Sequence, residues 1–122
     1  MKLPSKPVVV HEQVWVKTNT LVDSGVVELV SVFNSVDGLE TLQSCQGDAG
    51  GRWGYVYFSF GDWHKLCRLV FERLAPCIRV TLENDATVEV QATTADRPMA
   101  KLSFRAEAAE AVASALKDVL CC

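Results

Sequence analysis

The stretch Trp53-Gly54-Tyr55-Val56-Tyr57-Phe58-Ser59-Phe60 runs through Gly61-Asp62 into Trp63-His64-Lys65-Leu66-Cys67-Arg68-Leu69-Val70-Phe71-Glu72-Arg73-Leu74, and its reading decides the fold class. Residues 53 to 60 are aromatic and apolar on both faces, the pattern of a strand inside a sheet and covered on both sides. In the second half, Trp63, Leu66, Cys67, Val70, Phe71 and Leu74 fall at offsets 0, 3, 4, 7, 8 and 11, the apolar stripe of an amphipathic helix. Asp62 is placed to cap that helix, and Pro76, which lacks an N–H, is expected to stop it.

Working outward, residues 8 to 17 are rich in β-branched side chains and read as a first strand. Asp23 or Ser24 then caps a helix whose stripe is Val26, Leu29, Val30, Phe33 and Val36, and Asp37-Gly38 closes it. Residues 39 to 45 make a second strand, and the glycines of Gly47-Asp48-Ala49-Gly50-Gly51 force a loop before the aromatic strand. Downstream, residues 77 to 83, 87 to 93 and 100 to 104 read as three strands. Ile78, Val80 and Leu82 alternate with polar residues in the first, as do Val88, Val90 and Ala92 in the second. Asn84-Asp85 suits a tight turn, Thr94 to Met99 a surface loop, and residues 105 to 120 a closing helix with Val112, Leu116, Val119 and Leu120 inward. The order is β-α-β-β-α-β-β-β-α: an α+β fold in which three helices pack on a mostly antiparallel sheet. Residues 1–122 form a single domain, with 1–7 a flexible N-terminal tail.

Composition limits the functional classes. At 122 residues the chain has room for one core, and 49% apolar against 22% charged residues excludes a disordered or fibrous protein. Twelve Lys and Arg against fifteen Asp and Glu give a net charge of −3, which argues against a nucleic-acid partner. The prolines and charges of Met1 to Gln13 do not make a secretory leader, and no apolar run approaches the roughly 20 residues that span a bilayer. A cytoplasmic protein without a membrane partner is expected, its cysteines at 45, 67, 77, 121 and 122 held as thiols. Cys121-Cys122 is reminiscent of a prenylated double-cysteine ending, but it also reads as a frayed helix end.

Chemistry concentrates in Ser44-Cys45-Gln46-Gly47-Asp48-Ala49-Gly50-Gly51-Arg52-Trp53. A thiol, a hydroxyl, an amide, a carboxylate and a guanidinium share backbone that can approach a ligand closely, and successive N–H groups in such a turn can hold an anion. Ser44, Cys45, Gly47, Asp48, Gly50 and Arg52 are therefore the candidate binding residues, for a small polar or anionic ligand. The plainer alternative is a connection between two strands.

Three segments, Asp23 to Ser35, Glu40-Thr41-Leu42-Gln43-Ser44-Cys45-Gln46-Gly47, and Gly50-Gly51-Arg52-Trp53 with Val56, give the chain a resemblance to the tRNA wybutosine-synthesising methyltransferase family. The likeness covers about a third of the chain. It is carried by a Ser-Cys-x-Gly strand end and a glycine-rich lead into a Trp-containing strand. The chain equally resembles small bacterial proteins of unknown function with the same Ser-Cys-x-Gly segment. The first resemblance implies S-adenosylmethionine as cofactor and a modified tRNA base as acceptor; without it, no cofactor is expected. Asp48 stands where those methyltransferases carry a basic residue, a departure that bears on tRNA binding.

Other constellations stay open. Cys45 with His64 could form a nucleophile and base, although Arg68 and Glu72 follow His64 at helical spacing on a polar face. His64, Cys67, Cys77 and Cys45 could gather around zinc, but no Cys-x-x-Cys pair exists and no metal site is expected. Trp53, Tyr55 and Tyr57 on one strand face could stack bases or simply pack. Arg79, Lys101 and Arg105 share the polar face of the expected meander with Glu83 and Glu89, a mixed surface. An open sheet edge would permit a homodimer, the reading of the chain as an assembly protein.

Overall fold

A computed structural model describes residues 13–15, 21–48, 50–91 and 98–120. β1 (Gln13–Trp15) and β2 (Leu21–Asp23) pair antiparallel as a small ribbon, with Gln13 opposite Asp23. A 3-10 turn (Ser24–Val26) leads into α1 (Val27–Asn34), whose cap position is held by Val26 without a side-chain bond. Asp23, one of the two residues expected to cap, immediately precedes the 3-10 turn, and its carboxylate accepts the Gln46 N–H at 3.2 Å, tying the ribbon to the far end of the next strand. Gly38, at φ 86°, turns the chain after α1, since a residue with Cβ rarely takes that conformation.

β3 (Leu39–Cys45) and β4 (Gly54–Phe60) form a hairpin, and β5 (Ala86–Gln91) and β6 (Met99–Phe104) a second one. The sheet order is β3-β4-β6-β5 with every pairing antiparallel. The aromatic strand β4 is internal, as its apolar content demands. Val56, Phe58, Leu102 and Phe104 are wholly buried on one sheet face. Against them pack Leu29, Val30 and Phe33 of α1 and Val112, Ala113, Leu116 and Leu120 of the last helix, α4 (Ala109–Leu120). The Phe33 and Phe58 rings stack at 4.8 Å between centroids. The described helices all use this face. Tyr55 and Tyr57 lie on the other, half-buried, with Lys101 Nζ 5.3 and 5.4 Å from their ring centres. β4 is thus apolar on its helix side and aromatic with polar tips on its reverse.

One element departs from the expected order. Residues 77 to 83 are not a strand: a single helical rod covers 63–81, made of α2 (Trp63–Arg68), a π-helical segment (Leu69–Leu74) and α3 (Ala75–Thr81). Asp62 caps it as expected, accepting the Lys65 N–H at 2.9 Å, and that bond holds its carboxyl below the usual aspartate range. Pro76 does not end the rod because it falls in the first turn of α3, where its missing N–H is not required. The wider π turn, in which the Ala75 N–H reaches Val70 O, resets the hydrogen-bond register just before it. The same turn re-aims the side chains. Leu66, Val70, Leu74, Ile78 and Leu82 form a buried line at four-residue spacing, whereas Trp63, Phe71 and Val80 are 46%, 60% and 78% exposed. The alternation of Ile78, Val80 and Leu82 is therefore a helical i, i+4 pair with an exposed valine between.

The architecture is α+β, a four-stranded antiparallel sheet with helices on one side, and its order reads β-β-α-β-β-α-β-β-α. Arg79 and Glu83 consequently leave the expected meander and lie exposed at the end of the rod, while Lys101 stays on the sheet. Asn84-Asp85 still turns the chain, but from α3 into β5. Residues 1–12, 16–20, 49, 92–97, 121 and 122 lie outside the described residues. With them go the tail, most of the first expected strand, His11, much of the 94–99 loop and the terminal cysteine pair. No helix among the described residues is long and apolar enough to cross a membrane.

Candidate functional site

The β3–β4 connection is closed by its own groups. Asp48 N–H donates to Arg52 O at 3.0 Å and Gly51 N–H to Asp48 O at 3.3 Å. The Asp48 carboxylate accepts Gly50 N–H at 2.9 Å and Arg52 N–H at 3.4 Å, so a side chain fills the role expected of a bound anion. Arg52 Nε lies 3.8 Å from the same carboxylate, with most of its side chain in solvent. Gly47 is buried at φ 72°, where a Cβ would meet Arg52 O and come within 2.6 Å of Gly54 N. Behind the loop, Gln46 Oε1 accepts Gly25 N–H at 2.7 Å, closing the start of α1 onto the loop.

Sheet order brings a distant segment to this loop. Gly54 pairs with Phe104, so the neighbouring residues Trp53 and Arg105 meet at the sheet's end, the guanidinium carbon 5.4 Å from the indole centre. Arg105 Nε also donates to Asn84 O at 2.9 Å and lies 3.7 Å from Asp85 Oδ1, and its backbone N–H reaches Asp85 O at 2.9 Å. A cleft of about 260 Å³ results, lined by Asp48, Gly50, Gly51, Arg52, Trp53 and Arg105, with Ala106 and Glu107 closing it. A shallower neighbour of about 310 Å³ lies between Gly25, Gln46, Gly47, Asp48 and Glu107.

Of the six expected residues, Asp48, Gly50 and Arg52 come together on the first cleft, and Gly47 lines the second. Ser44 and Cys45 line neither. Ser44 pairs with Val56 on the helix side, and Cys45 with Tyr55 on the reverse face. Arg105 and Glu107 were not read as site residues, because nothing local in their sequence points to a loop some 50 positions earlier. On the reverse face the Tyr55 phenol is pushed above its usual value, first by burial and then by the nearby Cys45, Tyr57 and Asp23 groups.

A Cys45–His64 couple is ruled out by the strand geometry. Cys45 sits opposite Tyr55, whereas His64 follows Phe60, at the other end of β4. The five-residue step along β4 from Tyr55 to Phe60 alone covers roughly 17 Å. Among the described residues no three His, Cys, Asp or Glu side chains lie close enough to hold a metal ion. Comparison with protein families, with characterised proteins and with solved structures gives no match.

Proposed function

We propose that the protein is a small cytoplasmic binding module, and that the cleft between the 46–53 loop and Arg105–Glu107 receives a small polar ligand bearing an anionic group. The supporting observation is that Asp48 braces the loop from within while the Arg52 side chain, 67% exposed, lines the cleft. A braced loop presents that charge without an ordering cost on binding. Arg105 adds a second guanidinium, held by Asn84 and Asp85, and Glu107 can receive a donor from the ligand. In this reading the module has neither a membrane nor a nucleic-acid partner.

Calorimetric titration with citrate and with inorganic phosphate tests the reading. Saturable heat is expected with at least one probe, with affinity at least fivefold weaker in Arg52→Gln. Indistinguishable weak heats from both proteins would end it. Equilibrium dialysis with S-adenosylmethionine separates this reading from methyl transfer, since retention of that cofactor would favour an enzyme. Self-association is a second reading, favoured by the place of β5 as an edge strand with β6 its one partner in the described sheet. Light scattering over a concentration series decides it.

A further inference from the structure

The end of the sheet opposite the loop carries a larger cleft, of about 510 Å³, between the turn after α1, the end of β4 and the outer side of the helical rod. That volume is in the range of small-molecule sites. Its apolar surface comes from Val36, Phe60 and Leu69, and its rim from Lys65, Arg68, Arg73 and Glu72. Arg68 Nε is 3.0 Å from Glu72 Oε2, so one cation and the carboxylate neutralise each other. Lys65 and Arg73 make no ion pair within 4 Å among the described residues; the Asp62 carboxylate, which accepts the Lys65 N–H, feels the Lys65 charge, and Lys65, Arg68 and Arg73 still outnumber Asp62 and Glu72 on a chain of net charge −3.

The backbone beneath this rim is the π-helical segment. Leu69, Glu72 and Arg73 all belong to it, and the wide turn that puts Leu69 under the cleft also turns Phe71 out to solvent. A π turn has weaker geometry than an α turn and recurs where a helix is adapted to a ligand. Cleft, charge excess and altered helix coincide at one place.

We infer that this cleft binds a free amphiphilic anion, an apolar group lying on Val36, Phe60 and Leu69 with a carboxylate or phosphate head held by Lys65 and Arg73. The apolar part alone would gain modest burial, and the head alone would meet a salt-screened surface pair; together they select one class of ligand. This site is separate from the loop cleft and does not depend on it.

The probe is 1-anilinonaphthalene-8-sulfonate, an aromatic body with one anionic group, followed by its fluorescence in titrations of the full chain. The expected result is one saturable site whose dissociation constant rises at least tenfold in the Lys65→Gln/Arg73→Gln variant and stays unchanged in Arg52→Gln. The uncharged analogue N-phenyl-1-naphthylamine should bind the wild type at least tenfold more weakly and be indifferent to the double substitution. Decanoate and decyl phosphate, below their micellar concentrations, should displace the probe. Equal sulfonate binding by wild type and double variant, or no saturation, would overturn the site. So would co-sedimentation with phosphatidic acid vesicles in the absence of displacement by the free amphiphiles, which would place the anionic head on a bilayer. Both substitutions are of exposed side chains, and an unchanged far-ultraviolet circular dichroism spectrum confirms that the comparison is between folded proteins.

Discussion

The two ends of the sheet solve opposite problems. At the Gly54 end the chain reverses in a loop whose N–H groups are bonded from within by Asp48 and whose backbone is packed against itself at Gly47. At the Phe60 end the helical rod widens into a π turn beside a cleft on whose rim Lys65, Arg68 and Arg73 outnumber the single carboxylate of Glu72. In the sequence, glycine content marks the first as a loop and an apolar stripe marks the second as a regular helix. The difference teaches that glycine content alone does not measure looseness: a single well-placed carboxylate converts three glycines into a fixed turn, while a regular apolar stripe can hide a register change.

The sharpest way to break this contrast is at Gly47. An alanine there must hold φ near 72° with its Cβ driven into Arg52 O and within 2.6 Å of Gly54 N, so the hairpin has to open. Gly47→Ala should lower unfolding free energy by about 3 kcal/mol or more. Gly51 has φ 111° but nothing within 4 Å of an added Cβ, so Gly51→Ala should cost only about 1 kcal/mol of backbone strain. Urea denaturation of the two variants checks the comparison; equal losses would mean that the loop is not tightly built.

Asp48→Ala ranks between those two or just below. It removes two backbone partners in an exposed setting, where water can replace them, and about 1 kcal/mol should be lost. Hydrogen exchange at Gly50 and Arg52 should rise in this variant while the core strands keep their protection. Uniform acceleration across the sheet would contradict a local brace.

At the same end of the sheet, Tyr55 offers a pH test. Its phenol is raised above 10.0 by burial and by Cys45, Tyr57 and Asp23, so the unfolded chain gives up this proton first. Stability from the neutral phenol is complete below the unfolded value, and it is lost as pH rises through the higher folded value. Phenolate absorbance should show one tyrosine titrating late in the native protein, and Tyr55→Phe should remove that step.

How much of this was legible follows from the range of each signal. The described part of strand 87–93 and the Asp62 cap were readable because alternation and capping are local. The loop's position was readable from its glycines, but its partner Arg105 was not, since their meeting depends on β6 lying beside β4. The 77–83 segment misled because Ile78, Val80 and Leu82 fit a period of two, and also fit a helix once Val80 is allowed to face solvent. Pro76 tipped the reading toward a strand, and a π turn has no composition of its own that would have corrected it.

Pro76 also supplies the smallest and most diagnostic prediction. If proline interrupted a helix interior, Pro76→Ala would relieve a clash and restore a bond, and the gain would be about 3 kcal/mol. In the first turn of α3 its ring is compatible with the helix and its missing N–H is not needed, so the change should stay within about 1 kcal/mol of zero. The two cases also differ in what happens to the π turn. Alanine supplies an N–H that can draw the rod back to α-helical register, which would rotate Leu69 and Arg73 relative to the cleft. A variant of unchanged stability but weakened sulfonate-probe binding would therefore tie the altered helix to the anion site, and unchanged binding would show that the two features only happen to share an address.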